Sequence, residues 1–178
     1  WLRSLISLPI LWIGQLLLNF NAAPAVPLLK AAWTVSGDTE TGRQALTAVA
    51  RLESTSKAYA LATEWLAQNP NGVFAGAAGL MALELDRIEE AQQLLQRGHE
   101  LGSDRFGSLE WLEFLIAERT NSGVEVARRL EQRRNLPPDL SCAVRTSLMF
   151  DALMDERFDE ARQRAEALLD IENDSRAE

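Results

Sequence analysis

Side chains able to do chemistry are few in this chain, and they are scattered. His99 stands beside Glu100, an imidazole–carboxylate pair of the kind that moves protons, yet no nucleophile and no third orienting group lies near it in sequence. Cys142 is the single cysteine and His99 the single histidine, which leaves too few ligands for a thiolate or imidazole zinc site and no partner for an intramolecular disulfide. The environment expected for Cys142 is that of a small buried residue. Arg128, Arg129, Arg133 and Arg134 form the one basic concentration. It suits anionic headgroups or an acidic protein, or else it is a solvated helix face balanced by Glu125 and Glu131. Asn173-Asp174-Ser175 fits a glycosylation sequon, a tripeptide frequent by chance. Nothing here assembles a catalytic, metal or cofactor site, so the expectation is a protein without chemistry of its own.

Composition narrows the partners. The 178 residues carry Lys+Arg 18 against Asp+Glu 26, a net charge of −8, and such a chain cannot neutralise a run of phosphates. Nucleic acid is therefore excluded as a first reading.

The strongest local signal is apolar. No charge falls between Arg3 and Lys30, and Leu5 to Phe20 is dense in Leu and Ile with Trp12 among them. A helix over Leu2 to Ala23 would reach about 33 Å, enough for the hydrocarbon core of a bilayer. Residues 1–23 are thus expected to be a membrane anchor, with a signal peptide (Ala23-Pro24-Ala25 as its cleavage site) and a soluble packing helix as the alternatives. Pro9 invites a kink. Gln15 and Asn19, one turn apart, form a polar face that calls for contact with another helix. The flanking charges are too few to give an orientation. Residues 24–38, with Pro24, Pro27 and Gly37 around an apolar middle, read as a connector helix in which Trp33 sits at interfacial depth or caps the core that follows.

The remainder, 39–178, is built of repeats. Ala58, Ala91, Ala127 and Ala161 are 33, 36 and 34 residues apart, and Ile88, Val124 and Phe158 stand three residues before the last three of them. Thr55 holds that place in the first copy. Each unit reads as two helices with a short turn: 72–85 with 88–101, then 109–119 with 124–134. Pro70, Gly102 and Pro137-Pro138 punctuate the boundaries. No stretch alternates as a half-buried strand does, so the domain is expected to be all-α. A helix pair of this size cannot bury its apolar faces alone and must stack on a neighbour, with the small residues where paired helices approach most closely.

At these residues the chain resembles the tetratricopeptide repeat family. The resemblance rests on the Ala91/Ala127/Ala161 and Ile88/Val124/Phe158 sets, on Gly79 and Trp111 in first helices, and on Pro70 at the close of a unit. Leu115, Glu131 and Arg134 depart from the pattern. The resemblance covers roughly residues 39–174 and implies an α-solenoid of about four helix pairs whose first helices line a partner-binding concave side. Carried onto this sequence, that groove is drawn from Leu80, Leu83 and Glu84, then Leu112, Ile116 and Arg119, then Thr146, Phe150 and Leu153. A groove so apolar suits an apolar or amphipathic helix of a protein partner, unless the stripe is ordinary inter-helix core. The resulting expectation is a membrane-associated protein-interaction adaptor. An accessory subunit of a membrane assembly, or the regulatory part of an enzyme lying upstream of Trp1, are the other two readings.

Overall fold

The computed structural model describes residues 2–20, 22–102, 107–133 and 135–175, with side chains between 7 and 169 within those ranges. Ten helices follow one another among them: α1 (Leu2–Asn19), α2 (Ala25–Ser36), α3 (Thr39–Leu52), α4 (Thr55–Gln68), α5 (Gly72–Glu84), α6 (Ile88–Leu101), α7 (Ser108–Arg119), α8 (Gly123–Glu131), α9 (Pro138–Met154) and α10 (Phe158–Ser175). No strand occurs among the described residues. Local chemistry explains where helices begin. The side chains of Asp38, Ser54 and Asn71 accept from the backbone N–H groups of Thr41, Lys57 and Phe74, satisfying donors that α3, α4 and α5 would otherwise leave unpaired. Contacts divide the chain into two compact units, 1–109 and 110–178.

One backbone device closes the helix pairs. The N–H of Arg87 donates to the carbonyl of Ala82 at 2.9 Å, Ser122 to Ala117 at 3.0 Å and Arg157 to Ala152 at 2.8 Å. Asp86, Asn121 and Glu156 just before these donors are left-handed, with φ of 61°, 59° and 58°. This is the hydrogen bond by which a helix end satisfies its last carbonyls through a left-handed residue. The acceptors Ala82, Ala117 and Ala152 are 35 residues apart each time. That interval corrects the sequence alignment: one extra residue separates Ala117 from Ala127, so Phe114, and not Leu115, stands in register with Gly79.

Hydrogen bonds of the same span occur earlier. Ser54 donates to Val49 at 3.0 Å, there with Glu53 at φ −116° and not left-handed, and Ala22 donates to Leu17 at 2.9 Å. Helices α1 and α2 are therefore a helix pair of the same build, packed on each other and, through α2, on α3. Residues expected as an apolar helix and a connector thus pack on one another as α1 and α2. Among the described residues no helix is long and apolar enough to cross a membrane, α1 included. Its 18 residues give about 27 Å, short of the roughly 30 Å hydrocarbon core, and Ser7, Gly14, Gln15 and Asn19 dilute its hydropathy.

Unit 1 is centred on an aromatic cluster. Trp33 stacks on Trp65 with ring centroids 3.7 Å apart, and Phe74 meets both at 5.8 Å. Gly42 is the space that permits this, since a Cβ there would lie 2.8 Å from the Phe74 ring and 2.9 Å from that of Trp33. Trp33 thus caps the core, the second of its two expected roles. In unit 2, Leu130, Leu140, Val144 and Leu148 are buried, the last three at four-residue intervals down α9. Cys142 lies two residues off that stripe, about 200° around the helix from Leu140, and is exposed, contrary to expectation. The repeat alanines are where close packing needs them: Ala58, Ala91 and Ala127 are at 0% exposure and Ala161 at 7%.

Candidate interaction surface

Each first helix is conveniently numbered from its closing acceptor: Leu17 in α1, Val49 in α3, Ala82 in α5, Ala117 in α7 and Ala152 in α9. Two positions before the acceptor stand Leu80 in α5 and Phe150 in α9; one position after it stand Leu83 and Leu153; two after it stand Glu84, Arg119 and Met154. Among the groove residues expected from the sequence, Leu80 and Phe150, Leu83 and Leu153, and Glu84 and Arg119 share registers, whereas Leu112, Ile116 and Thr146 do not, and access differs among all of them. Phe150 is 53% exposed, Leu153 45% and Met154 81%. Glu84 and Arg119 are exposed, and Leu80 and Thr146 half-buried. Leu83, Leu112 and Ile116 are buried in the fold, at 3%, 0% and 6% exposure. What unit 1 offers a partner at these registers is Leu80 and Glu84. What unit 2 offers is Arg119, Phe150, Leu153 and Met154.

Gln15 and Asn19 occupy in α1 the registers of Leu80 and Glu84. The polar face that they form does find a helix partner, and it belongs to the same chain: the Gln15 side-chain amide donates to that of Gln44 in α3 at 2.6 Å. Gln44 in turn donates to Glu40 at 2.8 Å, and Glu40 holds Arg43 by two hydrogen bonds of 2.8 Å. Gln15, Arg43 and Gln44, together with Leu18, Asn19 and Thr47, line a shallow recess of about 310 Å³. Asn19 remains exposed at its rim.

The basic concentration is spent on carboxylates. Arg128 pairs with Asp151 at 3.0 Å, Arg129 with Glu113 at 2.5 Å and Arg133 with Glu110 at 2.7 Å. Arg134 lies outside the described residues. Pairs of this kind fasten α8 to its neighbours and leave little field for an anionic surface. A second network holds the last pair: Glu160 accepts from Arg157 and from Arg164, and Arg164 also reaches Glu131 at 2.6 Å. These hydrogen bonds, from Arg164 first and Arg157 next, hold the Glu160 carboxyl below its ordinary value. His99 is exposed, and no group of three or more His, Cys, Asp or Glu side chains among the described residues is arranged to hold a metal ion. Trp1 and the side chains of Asn173, Asp174 and Ser175 lie outside the described residues.

The feature that sequence reasoning misassigned is the outer face of α1. Leu8 is 60% exposed, Trp12 72%, Ile13 50%, Leu16 48% and Phe20 76%. Leu8, Trp12, Leu16 and Phe20 are four apart, one row of a helix face with Ile13 beside it. The row is visible in the sequence, but the uncharged run around it reads as a membrane helix.

With this geometry in hand, comparison with known proteins concerns the fold. No protein-family model and no curated protein matches the chain. Among solved structures, the MamA RS-1 ArsTM double mutant superposes with a TM-score of 0.60 at 16% identity, over 97% of this chain and 97% of that one. The fold is a tetratricopeptide-like helical repeat. The match extends over nearly the whole chain and so takes in α1 and α2, in keeping with their role as the first helix pair.

Proposed function

We propose that this protein is a protein-interaction adaptor in which first helices present side chains to an apolar or amphipathic helix of a partner. The observation that carries this reading is the exposed apolar set Phe150, Leu153 and Met154 on the first helix α9. Large apolar side chains left in water on one helix cost free energy unless something covers them, and a partner helix laid on α9 would do so. The tetratricopeptide-like fold supports a protein partner. Leu83, Leu112 and Ile116 then act as packing within the fold. The test is co-purification of partners with the full chain and with a Phe150→Asp, Leu153→Asp variant. Loss of a discrete partner with the melting temperature unchanged supports the adaptor; equal retention removes these residues from the binding surface.

A further inference from the structure

The outer face of α1 has a counterpart inside the fold. Counted from the closing acceptor, Leu8, Trp12, Ile13 and Leu16 stand in register with Val73, Ala77, Ala78 and Met81 of α5. Those four are buried, at 1%, 7%, 0% and 7% exposure, in a helix that packs on α4 of the preceding pair. In α3, which packs on α2, Ala45 and Ala48 hold the registers of Ile13 and Leu16 and are both at 0%. The exposed row of α1 is thus the stacking register of a first helix, here carrying the bulkiest apolar side chains of the series.

From this we infer that the α1 face is a self-association surface, and that its occupant is the α1 of a second copy in an antiparallel, two-fold arrangement. Three observations select a second copy. The row is symmetric in position: a two-fold axis near residue 14 sets Trp12 against Leu16 of the other copy and Leu8 against Phe20, with Ile13 near the axis. The face carries no charge, so two chains of net charge −8 each meet where their repulsion is least. Five side chains of this size, half to three-quarters exposed, offer roughly 600 Å² per copy, and roughly 1,200 Å² in all reaches the lower bound of a specific interface. This inference does not depend on the adaptor reading.

The experiment is sedimentation velocity on the full chain and on Trp12→Ser, Leu16→Ser, with helical circular dichroism as the control for folding. The expected result is a concentration-dependent dimer of the 19.8 kDa chain and at least a tenfold weaker dimer for the variant at unchanged helicity. Orientation is read in a Cys142→Ser background. Ile13→Cys should form a disulfide with itself, and Leu8→Cys should link to Phe20→Cys but not to itself, since a disulfide needs Cα atoms within about 7 Å. A chain that stays monomeric at about 100 µM overturns the proposal, as does a dimer that the variant leaves intact or that links Leu8→Cys to itself. Binding of a monomer to phosphatidylcholine vesicles, lost in the variant, overturns it in favour of a lipid surface. Should Trp12→Ser, Leu16→Ser lose helicity, Phe20→Ser alone, at the exposed end of the row, gives the same reading.

Discussion

Gln15 of α1 and Gln44 of α3 are joined amide to amide at 2.6 Å, across 29 residues of sequence. The bond gives a polar residue in the apolar run of α1 a partner inside its own chain. A helix bound to its neighbour in this way is part of the repeat series. The bond predicts an energetic coupling measurable without any partner. In a double-mutant cycle of Gln15→Leu and Gln44→Leu, followed by denaturant unfolding of the isolated chain, the coupling should be about 0.5–1.5 kcal/mol. A coupling of zero would return Gln15 to an intermolecular role.

Two glycines separate backbone from side-chain crowding. A Cβ on Gly72 would lie 2.3 Å from the carbonyl oxygen of Gly102, to which the Gly72 N–H donates at 2.9 Å. A Cβ on Gly98 would lie 2.3 Å from a terminal carbon of Leu109, a side chain able to turn away. Both substitutions to Ala gain up to about 1 kcal/mol of helix propensity. Gly72→Ala should nonetheless destabilise by about 1–3 kcal/mol, and by more than Gly98→Ala, in thermal or denaturant melts. The reverse order would show that this backbone contact yields.

Charge placed in the core separates packing from surface. Leu83→Asp and Ile116→Asp each bury an unpaired carboxylate and should cost about 3–5 kcal/mol, with loss of cooperative melting. Phe150→Asp and Leu153→Asp, at half-exposed positions, should stay within about 1 kcal/mol of the parent. Circular dichroism melts of the four variants decide the matter, and similar melting of all four would erase the distinction.

Acid should act through Glu160. Its folded value lies below the ordinary glutamate value of 4.5 because of its hydrogen bonds from Arg164 and Arg157. A carboxyl depressed on folding contributes stability above its unfolded value and loses that contribution as the pH falls through the folded one. Melting temperatures of the parent and of Glu160→Gln should therefore differ above about pH 5 and converge toward lower pH. The difference is small, because the carboxyl is at the surface and screened by solvent. Parallel curves down to acid pH would remove the two arginines as the cause.

Much of the architecture was legible because small residues leave a spacing. Ala58, Ala91, Ala127 and Ala161 mark the second helices, and each is buried as close packing requires. The turn residues Asp86, Asn121 and Glu156 share no side-chain type, so their common left-handed backbone and their interval of 35 show only in the structure. The first pair was hidden for a related reason. Leu17 and Val26 stand where later units have alanines, and the uncharged run around them imitates a membrane span. For the candidate surface, which positions of the first helices correspond can be read from the sequence, while access at each position is set by neighbours distant in sequence. Leu83 and Leu153 hold one register, and only Leu153 meets solvent.

The adaptor reading is tested most directly by photo-crosslinking in cells, with a benzoylphenylalanine placed at residue 150 of the full chain and, as a control, at the exposed position 163. The account predicts a discrete protein adduct from position 150, none of the same mass from position 163, and loss of the adduct when Leu153→Asp is added. No adduct from position 150, or the same adducts from both positions, would contradict it.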